Sequence, residues 1–191
     1  MVTLPSDMER KIVLFFILTR VGDLASTTLS SGKHLIGESN VLVRKLNFGW
    51  LGLSLANALF VTLVLLAFFY VKKNALLKAE LTNKVECGKS FSKYCQYIFF
   101  GKAVSLIDSL FKAKLNHRVY IYILFRTLPV VLTIVNLLII TNNILVWQGY
   151  SILSKIHPDN VIHINVLISL CIMIIAQIYF LMLRYNRIKR Q

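Results

Sequence analysis

Three cysteines in 191 residues are too few for a disulfide scaffold. Three prolines and eight glycines exclude a collagen-like or Pro/Gly-rich chain. Acidic residues are scarce too: 8 Asp and Glu stand against 22 Lys and Arg, a formal net charge of +14. Charged residues of all kinds make up only 16%, where a soluble domain carries about 25%. Also missing are a nucleophile elbow G-x-S-x-G, a phosphate loop, an H-E-x-x-H pair and a dinucleotide fingerprint. No catalytic set is therefore readable from motifs, and the catalytic residues are unknown.

What the chain does have is apolar mass. Hydrophobic residues make up 57% and mean hydropathy is +0.67, which excludes disorder and points to an integral membrane protein. A helix rises about 1.5 Å per residue, so a hydrocarbon core of ~30 Å takes roughly 20 apolar residues. Segments 49–71 and 161–183 meet that length without a charge, and 119–141 meets it with Arg126 alone. Segment 12–31 opens on an apolar run and then admits Arg20 and Asp23. A signal peptide has a similarly short apolar region, but its small-residue cleavage pattern is absent here. The expected fold is an all-α integral membrane protein, a single membrane domain over 1–191, with four transmembrane helices at about 12–31, 49–71, 119–141 and 161–183.

Lysines and arginines set the expected threading. They gather before the first span (Arg10, Lys11), across segment 72–118, and after the last span (Arg184, Arg187, Lys189, Arg190). Four spans put all three regions on one side, so both termini are expected in the cytoplasm of a multi-pass cell-membrane protein. Anionic lipid head groups on that side are the expected partners of the positive charge, at about 1 kcal/mol per cation near the leaflet. Nucleic acid is not expected, because no recognition motif accompanies the charge. Trp50, Trp147 and Tyr150 fall at the outer ends of spans, and Tyr70, Tyr120, Tyr122, Tyr179 and Tyr185 toward the inner ends, as interfacial belts do.

Within 72–118, residues 97–115 place Phe99, Phe100, Ala103, Val104, Ile107, Leu110 and Phe111 at helical spacing. Lys102, Ser105, Asp108, Ser109 and Lys112 fall largely on the other face. This predicts a basic amphipathic interfacial helix between spans two and three.

Polar residues inside spans are costly, so they are the leading candidates for function. Counting ~1.5 Å per residue places Asp23 about 17 Å from the inner edge, with Asn57 near the same level. Arg126 comes about 10 Å from that edge, with Gln177 beside it in depth. Two layers are expected: Asp23 with Asn57 and Thr27, and Arg126 with Gln177 and Arg20. Asp23 is expected to pair with Arg20 or Arg126; proton handling is the alternative. Pro129 is expected to kink the third span. Small residues Gly49, Gly52, Ser54 and Ala56 predict a close helix approach, and Asn136, Asn142 and Asn143 predict hydrogen bonds between helices or caps.

On the outer side the loops carry His34 and Glu38, then His157, Asp159 and His163. Their spacing matches no tetrahedral zinc set, and His157-Pro158-Asp159 reads as a turn, so no metal site is expected. Cys87 and Cys95 fall on the cytoplasmic side, where a disulfide is unfavourable. Cys171 lies within the fourth span as a small apolar filler. No cofactor is expected.

Asp23-Leu24-Ala25-Ser26-Thr27, Gly37-Glu38-Ser39-Asn40 and the uncharged span that follows resemble a family of small multi-spanning prokaryotic membrane proteins of unknown function, in which the first hairpin reads D-x-x-x-T, then E-x-N-P. The likeness covers 15–66, about a quarter of the chain, and Val41 stands where that family has Pro. It implies that Asp23, Thr27, Glu38 and Asn40 are shared polar positions, and it implies no activity. The expected role is non-enzymatic: a subunit or scaffold that packs against membrane-protein partners or further copies of itself. One alternative is an oligomeric ion or small-solute channel or carrier using Asp23 and Arg126. The other is a membrane-embedded enzyme with an outer-face site around Glu38, His34 and His163, in loops that also carry Asn40.

Overall fold

In hydrocarbon every backbone N–H and C=O must be satisfied within its own segment, which favours helices. The structure, a computed structural model, describes residues 7–31, 49–73, 90–102, 115–150 and 158–189, without the side chains of 158–163 and 165. Every regular element among them is α-helical. In chain order these are α1 (Asp7–Ser31), α2 (Trp50–Lys73), α3 (Phe91–Phe100), α4 (His117–Trp147) and α5 (Pro158–Lys189). Four of them, all but α3, are long and apolar enough to cross a membrane.

The helices overrun the apolar segments that define them. α1 begins at Asp7 rather than at 12, and its first turn carries Asp7 and Glu9, which suits the positive end of the helix dipole. α4 runs to Trp147 rather than stopping at 141. Its end is a Schellman turn: Tyr150 N donates to Leu145 O at 2.9 Å, Gly149 N donates to Val146 O at 3.0 Å, and Gly149 takes φ 84°. α5 opens at Pro158, so Pro158 and Asp159 of the expected turn begin a helix, while His157 lies outside the described residues. Proline fits the first helical position because that N–H has no intrahelical partner anyway. Pro129 lies inside α4, which is helical on both sides of it.

The interfacial helix also departs from its expected bounds of 97–115. α3 starts earlier, where Ser90 caps it by accepting from Lys93 N at 3.3 Å. It ends at Gly101, which takes φ 74° and donates its N–H to Tyr97 O. That left-handed residue breaks the apolar spacing counted through it, and residues 103–114 lie outside those described. Within α3, Lys93 is the one charged residue.

The chain divides into two compact units. The first joins Met1–Leu66 with Pro129–Met173, and the second joins Ala67–Leu128 with Ile174–Gln191. In the second, α3 presses Tyr94 and Ile98 against Val71 of α2, Val119, Tyr122 and Ile123 of α4, and Leu181 of α5. Tyr122 is thus a core residue rather than part of an interfacial belt. Tyr185 packs its ring on both Phe91 and Tyr94, at centroid distances of 5.8 and 5.6 Å. Asn116 ties the turn before α4 to α3 by donating its N–H to Phe99 O at 2.7 Å. Its side chain then caps α4 by accepting from Val119 N.

Burial in this core pushes the Cys95 thiol from its ordinary 9.0 up to about 11 and the Tyr94 hydroxyl up to about 12. The fold prefers both groups protonated. The contribution of Cys95 to stability is complete below pH 9 and fades as pH rises toward 11, and that of Tyr94 is complete below pH 10 and fades toward 12. In a chain whose other two cysteines are Ser, Cys95 should react with maleimide at pH 8 about a hundredfold more slowly than a cysteine placed at exposed Ser92. Its rate should climb tenfold per pH unit up to about 11; equal rates at pH 8 would contradict the packing of α3.

Candidate functional site

The first unit brings Arg20, in the middle of α1, against α2 and α4. A guanidinium only donates hydrogen bonds, so it must be met by oxygens. One comes from its own helix: Arg20 Nη1 lies 3.2 Å from Asp23 Oδ2, one turn on. The second is Asn136 Oδ1 of α4, which accepts from Nη1 at 2.9 Å. The third is Asn57 Oδ1 of α2, which accepts from Nη2. The cation also stands over the Phe60 ring, 5.2 Å from its centroid. An arginine at the centre of a membrane helix costs about 3 kcal/mol. Each charge-assisted hydrogen bond returns about 1.5–3 kcal/mol, so three acceptors suffice to hold it there.

Around this residue α1 and α4 pair in a fixed register. Asn136 Nδ2 reaches Thr19 Oγ1 at 3.5 Å. Asn143 Nδ2 donates to Ser26 Oγ at 3.0 Å and Thr27 Oγ1 at 3.3 Å. Thr19 and Asn136 are 117 residues apart, and so are Ser26 and Asn143. A constant offset means the two helices run parallel, as a first and a third span do. Each polar residue recurs after seven positions, the repeat of a left-handed helix pair. Between the two rungs a Cβ added at Gly22 would lie 3.0 Å from Ile140 Cδ1, so this glycine lets α4 come close. The small-residue stripe at the start of α2 does not play that part at Gly49, where an added Cβ would meet nothing within 4 Å.

Arg20, Asp23 and Asn57 are therefore joined directly, and the expected pairing of Asp23 is with Arg20. Arg20 belongs with Asp23 and Asn57. The i, i+3 spacing and the length of the arginine side chain carry its head to the Asp23 level. Thr27 sits one turn further along α1, on Asn143. Arg126 and Gln177 belong to the second unit. There the Arg126 guanidinium covers the Phe68 ring at 4.5 Å. Gln177 Nε2 is buried without a partner among the described residues, and no hydrogen bond joins it to Arg126. His34, Glu38 and Asn40 lie outside the described residues, as does the side chain of His163. Among the described residues no group of three or more His, Cys, Asp or Glu is placed to hold a metal.

Between α2 and α4 of the first unit lies a cavity of about 400 Å³, with Arg20 of α1 also on its wall. Three polar residues line it, Arg20, Asn57 and Asn136, together with six apolar ones that include Leu53, Phe60 and Leu132. Asn136, 1% exposed, is the residue that the sequence placed in no polar layer. Its signal was available: the seven-residue step from Asn136 to Asn143 equals those from Thr19 to Ser26 and from Arg20 to Thr27.

No family model matches the chain, and no curated protein or solved structure matches it.

Replacing Arg20 with Met strips three oxygens of their shared donor and leaves Asp23 without its cation. The expected loss is about 3–5 kcal/mol of thermal stability in detergent. Arg20→Met combined with Asp23→Leu should cost at least 1 kcal/mol less than the sum of the single changes, about the size of coupling that contacting pairs show. Additive losses in that cycle would contradict the pairing.

Proposed function

We propose that the chain is a small polytopic membrane subunit that packs against partner membrane proteins, with both termini in the cytoplasm. The observation that carries this reading is the uneven coverage of its spans. Only 6% of the most apolar stretch of Val166–Lys189 is buried within the chain, against 22%, 22% and 28% in the other three. Association of membrane helices comes from close packing and interhelical hydrogen bonds. A fourth span so little buried by its own chain has surface with which to pack against another protein.

The polar site favours the same reading over a transport path. Asp23 and Arg20 neutralise one another across 3.2 Å, and the neighbouring amide oxygens of Asn57 and Asn136 accept from the same guanidinium. Such a cluster ties three helices together; it does not present a carboxylate for ion relay. The proposed orientation draws on the cations after spans two and four and before span one. In the second unit the described residues include Lys72, Lys73, Arg118, Arg184 and Arg187 and no Asp or Glu. Anionic head groups are the partners that this imbalance suits.

The test is photo-cross-linking in the native membrane from exposed Leu170, Ile174 and Ile178, with exposed Leu14 of α1 as reference. A single adduct of fixed mass should form from the α5 positions. Lipid adducts alone, equally from α5 and Leu14, would defeat the reading. In liposomes the parent chain and Asp23→Asn should leak protons at the same rate; flux abolished by Asp23→Asn would favour the channel instead.

A further inference from the structure

The cavity beside Arg20 is a better-defined chemical environment than packing alone requires. Arginine cannot accept a hydrogen bond, so Asn57 and Asn136 must each turn Oδ1 toward it. Those oxygens and Asp23 Oδ2 are then engaged. What remains is a set of donors. Arg20 Nε is buried and meets no acceptor among the described residues. The Asn57 amide nitrogen makes no hydrogen bond among them either. Nε is closed off within the cluster, so the donor open to the cavity is the Asn57 amide. A free donor in walls lined otherwise by leucine, isoleucine, valine, alanine and phenylalanine defines the complementary ligand: an apolar body bearing an oxygen acceptor.

Charge decides which acceptor. Asp23 already neutralises Arg20 at 3.2 Å. A carboxylate or phosphate would add an unbalanced negative charge far along apolar helices, where desolvation opposes it. A neutral carbonyl takes the same hydrogen bonds without that opposition. About 400 Å³ suits a single substituted ring. We propose that the cavity between α2 and α4 binds an uncharged, lipid-soluble carbonyl compound of the quinone class, its oxygen accepting from the Asn57 amide beside Arg20. This site is independent of the partner surface on α5, so either can fail alone.

A matched series of ligands on one carbon skeleton tests it. Duroquinone carries carbonyls, durene lacks them, and tetramethylbenzoate carries a charge. Binding is measured to the full chain in nanodiscs, with empty nanodiscs subtracted for partition into lipid. Duroquinone should bind saturably and at least about tenfold more tightly than durene, the value of one hydrogen bond of ordinary strength. Asn57→Leu, which keeps the volume and removes the donor, should erase that preference and leave durene unchanged. Ala56→Phe, which fills the cavity without touching the polar cluster, should abolish saturable binding of both. Should Asn57→Leu fail to fold, Ala56→Phe and the ligand comparison in the parent chain decide the matter. Equal affinity for durene, tighter binding of tetramethylbenzoate, binding unaffected by Ala56→Phe, or no saturable binding above empty nanodiscs would each overturn the proposal.

Discussion

A guanidinium halfway along an apolar helix cannot be left to lipid, and Arg20 dictates much of what surrounds it. Its donors take one oxygen from α1, one from α2 and one from α4. Any sliding or rotation of these helices would part at least one pair and strand a polar group in a medium that offers no substitute. The constraint works like the buried polar residues that fix register in helix pairs: the gain lies in uniqueness more than in net stability. Lipid tails are as apolar as leucine, so hydrophobic burial alone would not choose one arrangement of these helices over another.

The polar steps along α1 and α4 extend that constraint lengthwise. Thr19, Ser26 and Thr27 meet Asn136 and Asn143 at a constant offset, and Gly22 admits Ile140 between them. Interhelical hydrogen bonds in membranes contribute only about 0.6 kcal/mol each on average. No single rung holds the pair, but together they allow one register. The same packing leaves a cavity between α2 and α4, with Arg20 and the two asparagines on its wall.

The spans were legible because their signal is length and composition, which no tertiary contact overrides. The Asp23–Arg20 pair was legible because i, i+3 spacing on one helix is a local matter. What could not be read in advance depended on contacts between distant segments. Counting depth alone did not join Arg20 to Asn57, since a count along the axis ignores how far an arginine reaches. The hydrogen bonds between helices expected of Asn136 and Asn143 are present, but which residues they meet was not readable, because the partners lie 116 or 117 positions away. The interfacial helix was drawn through Gly101, because apolar periodicity carries no mark of a left-handed residue. At Pro158 a turn-forming proline proved to be a helix-opening one, and both roles use the same fixed φ.

The central claim is that polar groups hold α1 and α4 in one parallel register. It is tested most directly by disulfide cross-linking between cysteines placed at Ser26 and along 142–144, with the Arg20 cluster left intact and the native cysteines removed. The account predicts the fastest oxidation for the pair Ser26 and Asn143, falling away one position to either side. Equal rates at all three positions, or a maximum displaced from Asn143, would contradict it.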